Sequence, residues 1–370
     1  MYNFMEVTDL KTIVLLFGGT NSEHEVSCLS AGSVYTNLNK SKYNILTLGI
    51  TKAGAWLLTK ASPDEIRNGS WETLPGNRKS VLSPSREDHG LLCLSETGSW
   101  DVIRVDCVWP VLHGRFGEDG TIQGLCEVAG LPYVGPGVYA SAAAMDKSIT
   151  KQVVAETGIR QAKHYVLERD IYLRCSVAVL THIHHFFEEQ YPLFVKPCIA
   201  GSSVGVSKVR GPRELEGAVL EALKHDRRCL IEEAIVGREV EVAVLGNRFP
   251  KASVVGEVLS AHEFYDYEAK YINAASRTEI PAAITAKEQE SLQKAAVDIY
   301  KALDCRGLSR ADFFLTADGT PVFNEINTLP GFTSISMYPK LWEASGLPYE
   351  KLLDELIDLA LDAQKDNPAL

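Results

Sequence analysis

The stretch SRADFFLTADGTPVFNEINTLPGF, residues 309–332, predicts a β-hairpin. Polar and apolar residues alternate along residues 310–315 and again along residues 321–327, which is typical of strands with one buried face. Between the two runs stands Asp318-Gly319, a strong short-range signal for a tight turn. We therefore expect two antiparallel strands joined by a two-residue loop.

That loop fixes the pairing of four polar side chains on one face of the hairpin: Asp312 lies opposite Glu325, and Arg310 lies opposite Asn327. Directly opposed like charges destabilise a strand pair, so the two carboxylates need a neutralising group. A shared proton, Arg310 or a divalent cation would serve, and a solvated, salt-bridged face is a further alternative. Asn327 adds a third oxygen, and an all-oxygen set suits magnesium.

The chain as a whole has the composition of a globular protein with two or three domains. It has 370 residues, of which 45% are hydrophobic and 23% are charged. Its net charge of -11 includes no long basic block, which argues against a nucleic-acid partner. No signal-peptide pattern and no run near the ~18 apolar residues of a membrane span is present, so we expect a cytoplasmic protein without a membrane partner. The eight cysteines include no Cys-x-x-Cys pair and are predicted to be reduced.

The first third of the chain predicts an α/β domain, residues 1–135. TIVLLFGG, YNILTLGI and VDCVWPVLHG are continuous apolar runs, as in parallel strands that helices cover on both faces. EVSCLSAGSVYTNL between them has helical spacing. The pattern predicts a doubly wound parallel sheet that ends near a linker rich in proline and glycine, residues 132–137.

The rest of the chain predicts two α+β domains, residues 136–231 and 232–370. The first has helical patterns at MDKSITKQVVAETG and GPRELEGAVLEALKHD, with strands near PLFVKP and VGVSKV. The second begins with strands in CLIEEAIVGREVEVAVLG and SVVGEVLS, contains the hairpin, and closes with the amphipathic helix YEKLLDELIDLALDAQ.

A loop rich in glycine and serine is a candidate anion site. Lys196 stands in an apolar strand, and residues 201–205, Gly-Ser-Ser-Val-Gly, offer backbone donors that can approach an anion closely. The Walker pattern is absent, and the segment instead suggests a flap that closes over nucleotide phosphates. A hairpin tip with a lysine that extends to solvent is the alternative.

Other candidates are carboxylates and a histidine at the ends of predicted strands. Glu232, Glu233 and Glu239 could recognise an adenine amine and a ribose, or be ordinary glutamates of an edge strand. Glu23 follows a Gly-Gly turn at the carboxyl end of the first strand, where ligands bind in open α/β folds, or it is only a helix-terminus residue. His113 ends the third apolar run and is either structural or catalytic.

Two further segments leave their roles open. HEFYDYEAKY, residues 262–271, is either a lid that shuts out water or a loop packed on its own aromatic rings. His182, His184 and His185 could bind zinc, but they have no nearby cysteine and lie in a predicted amphipathic helix.

Taken in order, these segments resemble the ATP-grasp superfamily and, within it, the D-alanine:D-alanine ligase family. The resemblance runs through GGTNSEHEVS, LHGRFGEDGT, MDK, FVKP, GSSVGVSKV, EFYDYEAKY, SRADFF and FNEINTLPGFTSIS, over roughly residues 12–360. It implies a three-domain ATP-grasp fold and a homodimer. It also implies ATP-dependent ligation of two D-alanines through a D-alanyl phosphate, for peptidoglycan precursor synthesis.

The resemblance also implies roles for individual residues. Asp312, Glu325 and Asn327 are expected to hold two magnesium ions, for which manganese can substitute. Glu23 is expected to hold the ammonium of the first D-alanine beside His113, with Gly331 and Ser336 near the carboxylate of the second. Arg310 is expected to stabilise the tetrahedral oxyanion, and Glu23, Ser202 and Tyr271 to form one hydrogen-bonded set. The residues expected to contact ATP are Lys147, Lys196, Ser202, Ser203, Glu232, Glu233, Ile235, Glu239, Lys270 and Asn324.

Two alternatives to this activity stay open. Relatives with the same scaffold make D-alanyl-D-serine or D-alanyl-D-lactate, although the lid Tyr-Glu-Ala-Lys-Tyr resembles the type that selects D-alanine. A non-catalytic nucleotide or amino-acid sensor on the same architecture is the alternative from another class.

Overall fold

The computed structural model describes residues 10–201, 204–259 and 277–365. In this part of the chain the strands form three sheets of seven, four and five strands. The prediction of a parallel-containing α/β unit followed by α+β units is confirmed.

The first sheet has the order β6-β5-β4-β3-β2-β1-β7. Its parallel part consists of β1, β2 and β7, the strands predicted from the continuous apolar runs, with β1 in the middle. The remaining four strands extend the sheet in antiparallel fashion, so the sheet is mixed rather than parallel throughout. The strands are β1 (Lys11–Gly18), β2 (Tyr43–Ile50), β3 (Trp56–Thr59), β4 (Arg78–Leu82), β5 (Gly90–Leu94), β6 (Trp100–Arg104) and β7 (Cys107–Val111).

Helices cover both faces of the parallel part, which explains its apolar runs. Ile13 and Leu15 of β1 face a core formed with the helix at residues 24–37, whereas Val14 and Leu16 face the helix at residues 121–129. The helices of this region are α1 (His24–Asn37), α2 (Pro63–Arg67) and α3 (Thr121–Ala129), and a 3-10 turn spans Ser70–Thr73.

The second sheet is antiparallel, with the order β10-β9-β11-β8. Two helices, at residues 169–186 and 212–225, pack on one face through apolar residues such as Ile183 and Val219. The elements are α4 (Val138–Met145), α5 (Lys147–Ala155), β8 (His164–Glu168), α6 (Arg169–Phe186), β9 (Leu193–Pro197), β10 (Ser207–Val209), α7 (Pro212–His225) and β11 (Arg228–Glu233).

The third sheet is antiparallel, with the order β14-β13-β12-β15-β16. The helix at residues 286–302 packs on one face through Leu292 and Ile299. The last two helices contribute Tyr338 and Leu356 to the core that also contains Ile13 of the first sheet. The elements are β12 (Arg238–Leu245), β13 (Lys251–Leu259), β14 (Arg277–Glu279), α8 (Ala286–Ala302), β15 (Leu308–Leu315), β16 (Pro321–Asn327), α9 (Met337–Ala344) and α10 (Tyr349–Lys365).

The shared core joins the first and third sheets and places their loops against each other. The predicted division between residues 231 and 232 falls inside β11, which ends at Glu233, and the division into three domains stays a prediction. All eight cysteines are free, and all but Cys175 are buried. No helix in the described ranges is long and apolar enough to cross a membrane.

Candidate active site

One cavity of about 600 Å³ lies where loops and strands of the three sheets meet. It gathers every predicted site residue that belongs to the described ranges. Ser202, Ser203, Lys270 and Tyr271 lie outside those ranges. The residues that line the cavity include Glu23, His113, Lys147, Lys196, Glu232, Glu233, Ile235, Glu239, Arg310, Asp312, Asn324, Glu325, Asn327, Gly331 and Ser336.

The hairpin has the predicted pairing at the site but not the predicted loop. Asp312 lies opposite Glu325, and Arg310 lies opposite Asn327, as expected. Towards the turn the register shifts by one residue, because Phe313 pairs with Phe323 and leaves Asn324 as a bulge in β16.

The loop itself is longer than predicted. The Thr316 amide donates to the Thr320 carbonyl at 3.2 Å, so residues 317–319 form a three-residue loop with Gly319 at a φ of 78°. The prediction of a two-residue loop was wrong, and the bulge at Asn324 offsets the error at the site.

Arg310 is a cation between carboxylates in this structure. Its Nε and Nη2 donate to the two oxygens of Asp312 at 2.8 and 2.7 Å. Its Nε also lies 2.9 Å from Oε2 of Glu241, and Asn327 Nδ2 donates to Asp312 at 3.0 Å. Glu241 was not predicted as a site residue, although it alternates with Val240 and Val242 on the same side of β12 as Glu239.

A buried triad of charges contributes Glu232 and Lys196 to the lining of the cavity. Glu232 forms ion pairs with Lys196 of β9 and, at 2.5 Å, with Lys151 of α5. Burial alone would raise the pKa of Glu232, but the two lysines lower it to about 2. Burial lowers the pKa of Lys151, whereas Glu232 outweighs burial and raises that of Lys196. Lys151 stands one helical turn after Lys147 and was not predicted as a site residue.

Lys147 reaches the cavity from the first residue of α5. Its ammonium donates to the Ala200 carbonyl at 2.7 Å, beside the glycine-serine loop. Burial and the nearby Lys196 lower the pKa of Lys147, and Glu325 opposes them. The preceding Asp146 caps α5 by accepting from the Ser148 amide at 3.1 Å, and it also pairs with Arg228.

The connection from β11 to β12 forms a further wall. Glu233 accepts from the Lys163 amide at 2.8 Å, and its own amide donates to the Lys163 carbonyl at 3.0 Å, so this residue is held on the backbone of a neighbouring segment. Ile235 and Glu239 follow on the cavity side.

Glu23 lies between two glycines from different parts of the chain. It is buried, and its amide donates to Asn21 Oδ1 at 2.9 Å. A Cβ on Gly201 would lie 3.0 Å from Oε2 of Glu23, and a Cβ on Gly114 would overlap that oxygen. Nearby, Ser27 accepts from the Gly18 amide at 2.8 Å and so serves the turn after β1.

His113 has protein partners for both of its ring nitrogens. Nδ1 lies 3.0 Å from the Leu329 carbonyl and Nε2 lies 3.2 Å from Ser30 Oγ. Burial lowers the pKa of this histidine. Beside it the half-buried Glu118 accepts from the amides of Gly114 at 2.7 Å and Leu329 at 3.2 Å.

Glu118 was not predicted as a site residue. Burial, together with the charge of Glu23, raises its pKa to about 8. Its position in LHGRFGEDG gave no signal, because one of its partners lies 211 positions away.

The loop after β16 brings Gly331 and Ser336 to the cavity. Ser336 Oγ accepts from the Thr333 amide at 2.9 Å, and a Cβ on Gly331 would lie 2.7 Å from that oxygen. The loop is therefore tightly folded just before α9.

Within the described part of the chain no single partner joins all three histidines of α6, although His184 and His185 both lie near Oε1 of Glu189. His182 packs edge-on against Tyr165, His184 lies 3.2 Å from the Tyr191 hydroxyl, and His185 lies 3.6 Å from Glu189. Within the described residues no group of three or more histidine, cysteine, aspartate or glutamate side chains converges as for a metal ion. The structure offers no support for zinc here.

Comparison with known proteins shows what family combines these features. Residues 12–136 match the family described as D-ala D-ala ligase N-terminus, and residues 153–358 match D-ala D-ala ligase C-terminus. The chain belongs to the D-alanine–D-alanine ligase family. Curated ligases of this name from Clostridium acetobutylicum and Acetivibrio thermocellus are 48% and 47% identical to it. The matches cover 95% and 97% of this chain and 98% of each relative.

Solved structures of the family have the same fold over nearly the whole chain. The VanG D-Ala:D-Ser ligase from Enterococcus faecalis is 40% identical, with a TM-score of 0.86 over 95% of this chain and 100% of that one. The D-alanine-D-alanine ligase from Coxiella burnetii is 35% identical, with a TM-score of 0.83 over 97% of this chain and 96% of that one. The predicted ATP-grasp architecture is thus confirmed for this family member.

Proposed function

We propose that the protein joins two molecules of D-alanine into D-alanyl-D-alanine, with conversion of ATP to ADP and phosphate, for peptidoglycan precursor synthesis. The observation that carries the proposal is this cavity of about 600 Å³. It combines lysines suited to phosphates, paired carboxylates suited to a cation, and a buried carboxylate suited to a substrate ammonium. An ATP-dependent carboxylate-amine ligase needs all three.

The chemistry explains this combination. A carboxylate is a poor electrophile, so the first D-alanine is phosphorylated by ATP to an acyl phosphate, with Lys147 and Lys196 offsetting the charge of the transferred group. The amine of the second D-alanine then attacks the carbonyl, the tetrahedral intermediate collapses, and phosphate leaves with the dipeptide. Arg310 stabilises the oxyanion of that intermediate, and loss of one such donor typically costs about 100-fold or more in rate.

The hairpin supplies the oxygens of a magnesium site. Asp312 and Glu325 face each other across the strands with Asn327 beside them, and this donor set fits two magnesium ions, for which manganese can substitute. Bound there, the metal neutralises negative charge on the ATP phosphates. Because Arg310 pairs with both Asp312 and Glu241, it keeps a carboxylate partner when Asp312 turns to a metal.

The nucleotide lies between the second and third sheets in this proposal. Glu232, Glu233, Ile235 and Glu239 surround the adenosine. The contacts to phosphate or metal come from Lys147, Lys196, Ser202, Ser203, Lys270 and Asn324.

The two D-alanines lie on the side of the first sheet. Glu23 binds the ammonium of the first D-alanine, and His113 lies beside that substrate. Gly331 and Ser336 bind the carboxylate of the second. Glu23, Ser202 and Tyr271 form the hydrogen-bonded set that closes the site against water, which would otherwise destroy the acyl phosphate.

The second substrate has one specific alternative, D-serine. Its support is the 40% identity to the VanG D-Ala:D-Ser ligase, whose fold this chain shares. The higher identity to curated D-alanine–D-alanine ligases, 48%, favours D-alanine. The proposal also includes a homodimer in the cytoplasm and the three-domain division at residues 135/136 and 231/232.

ADP release distinguishes these possibilities. It is measured with magnesium, ATP and either D-alanine, L-alanine, D-alanine plus D-serine, or D-alanine plus D-lactate, and the products are identified by mass spectrometry. We expect D-alanine alone to drive release and D-alanyl-D-alanine to dominate in the mixtures. A predominance of D-alanyl-D-serine would support the alternative. ATP binding without D-alanine-dependent ADP release would refute a ligase and support a sensor.

A further inference from the structure

The loop that follows β16 is held by side chains of α1 and of the loop after β7. The Leu329 amide donates to Glu118 at 3.2 Å, and the Leu329 carbonyl lies 3.0 Å from Nδ1 of His113. The Phe332 amide donates to Ser30 Oγ at 3.3 Å. We call Ser30, His113 and Glu118 the clasp. These side chains hydrogen-bond to the loop on both sides of Gly331, at Leu329 and at Phe332.

One assignment of donors and acceptors satisfies the hydrogen bonds of His113 and Ser30. A carbonyl only accepts, so Nδ1 of His113 carries the proton that Leu329 receives. In a neutral ring Nε2 is then an acceptor, and Ser30 Oγ, 3.2 Å away, donates to it. The same Oγ accepts the Phe332 amide, so one hydroxyl connects the histidine ring to the loop.

Ser30 has no direct access to substrate. Its side chain is fully buried in α1, and it is not part of the cavity wall. Any effect of this residue on substrate binding must therefore pass through the His113 ring or through the loop segment that it holds at Phe332. That segment carries Gly331, and it connects Asn327 to Ser336, which folds back onto Gly331.

We propose that Ser30, with Glu118, is a positioning residue for the second substrate. The clasp fixes the loop of Gly331 in the place where it binds the carboxylate of the attacking amino acid. The inference rests on the proposed function, because it takes Gly331 and Ser336 as the site of that carboxylate. The clasp ties this site to the loop after β7, which carries His113 and Glu118.

The test uses Ser30→Ala, which removes the hydroxyl and two hydrogen bonds without adding volume. The KM for D-alanine at the first site is measured with hydroxylamine in place of the second D-alanine. Hydroxylamine attacks the acyl phosphate, phosphate leaves, and a hydroxamate forms without any need for the carboxylate site. The KM for D-alanine at the second site is obtained from the rate of dipeptide formation at increasing D-alanine concentrations.

We expect Ser30→Ala to raise the second-site KM by about five- to tenfold, the effect of losing one or two hydrogen bonds. The KM for ATP and the first-site KM for D-alanine in the hydroxamate reaction should both stay within about twofold of wild type. A twofold change is smaller than the contribution of one hydrogen bond. Ser33→Ala is the matched control, because Ser33 lies one turn later in α1 and donates to the Leu29 carbonyl at 3.1 Å on the exposed side. It should behave as wild type.

A merely structural role for Ser30 would give another result. Loss of folded protein would lower hydroxamate and dipeptide formation together, and an unchanged second-site KM or an equal change at both sites overturns the proposal. If Ser30→Ala does not fold, Glu118→Gln tests the other end of the clasp. Its amide can accept from only one of Gly114 and Leu329, and the same selective rise is expected. A wild-type protein without D-alanine-dependent ADP release would instead refute the proposed function itself.

Discussion

Replacement of Glu232 by glutamine tests the buried charges most directly. Glu232 and Lys151 are only 5% and 2% exposed, and Lys196 is the third member of the triad. Glu232→Gln keeps the shape of the side chain but leaves two ammonium groups without the carboxylate between them. We expect the variant to fold with a clearly lower free energy of unfolding.

The magnitude follows from the proton affinity of Glu232. Its pKa falls from 4.5 in an exposed glutamate to about 2, because Lys196 and Lys151 together outweigh burial. At 1.36 kcal/mol per tenfold change, this lowering corresponds to a stabilisation of about 3 kcal/mol at pH 7. Removal of one partner of a buried ion pair typically costs about 3–5 kcal/mol, which agrees with that figure.

The sign of the pH dependence provides a second test. A carboxyl whose pKa is lower in the folded protein stabilises the fold above the unfolded pKa, near 4.5, and loses this effect as the pH falls towards 2. The stability difference between wild type and Glu232→Gln should therefore be about 3 kcal/mol at pH 7 and should shrink below about pH 4.5.

Urea unfolding at several pH values measures the difference. Glu168→Gln is the matched control, because Glu168 lies exposed in the adjacent strand, opposite Arg228, and should change stability by less than about 0.5 kcal/mol. A Glu232→Gln protein as stable as wild type at pH 7 would refute the reasoning. So would a difference that stays constant as the pH falls.

Three further changes address other parts of the site. Glu325→Gln should abolish ADP release while leaving the circular-dichroism spectrum and melting temperature intact; near-normal turnover would contradict the magnesium assignment. Gly114→Ala should raise the KM for the first D-alanine and lower stability by about 1–3 kcal/mol, because the added Cβ overlaps Glu23 and the φ is 63°. An unchanged KM would argue against Glu23 as the ammonium site. Asp146→Ala should destabilise the protein by about 2–4 kcal/mol in urea unfolding, since it removes the cap of α5 and the partner of Arg228; a loss under 1 kcal/mol would show that neither contact matters.

The parallel strands and the hairpin could be predicted because the local sequence pattern of each reflects whether its residues are buried or exposed. Strand β1 is buried along most of its length, and its unbroken apolar run indicates this burial even when the neighbouring strands are not known. Strands β3 to β6 have no such signal. They are short, and β6 is exposed along most of its length, so only their pairing along the sheet edge defines them.

The hairpin shows how a correct pairing can accompany a wrong loop. Two-residue and three-residue loops both suit Asp318-Gly319, and the sequence did not separate them. Packing of Phe323 opposite Phe313 in the core selects the longer loop, and the bulge at Asn324 then restores the alignment of Asp312 with Glu325. The bulge is a tertiary effect, which local alternation does not reveal.

The missed site residues differ in what the sequence offered. Lys151 follows Lys147 by four positions in a predicted helix, which puts both lysines on one face, and Glu241 alternates with Glu239 along a strand. Both signals were present in the pattern. Glu118 had none, because its environment is created by Leu329 and by Glu23, which are distant in sequence.

Two cations of the cavity are each paired with a carboxylate, and this pairing constrains how ligands bind. Lys196 pairs with Glu232, and Arg310 pairs with Asp312. In the proposed function Lys196 binds a phosphate and Asp312 binds a metal. If the two ion pairs were isolated, Glu232 and Arg310 would each be left as a buried, unpaired charge, at a typical cost of about 3–5 kcal/mol. Neither pair is isolated. Lys151 remains on Glu232, and Glu241 remains beside Arg310, so each group that loses a partner keeps another.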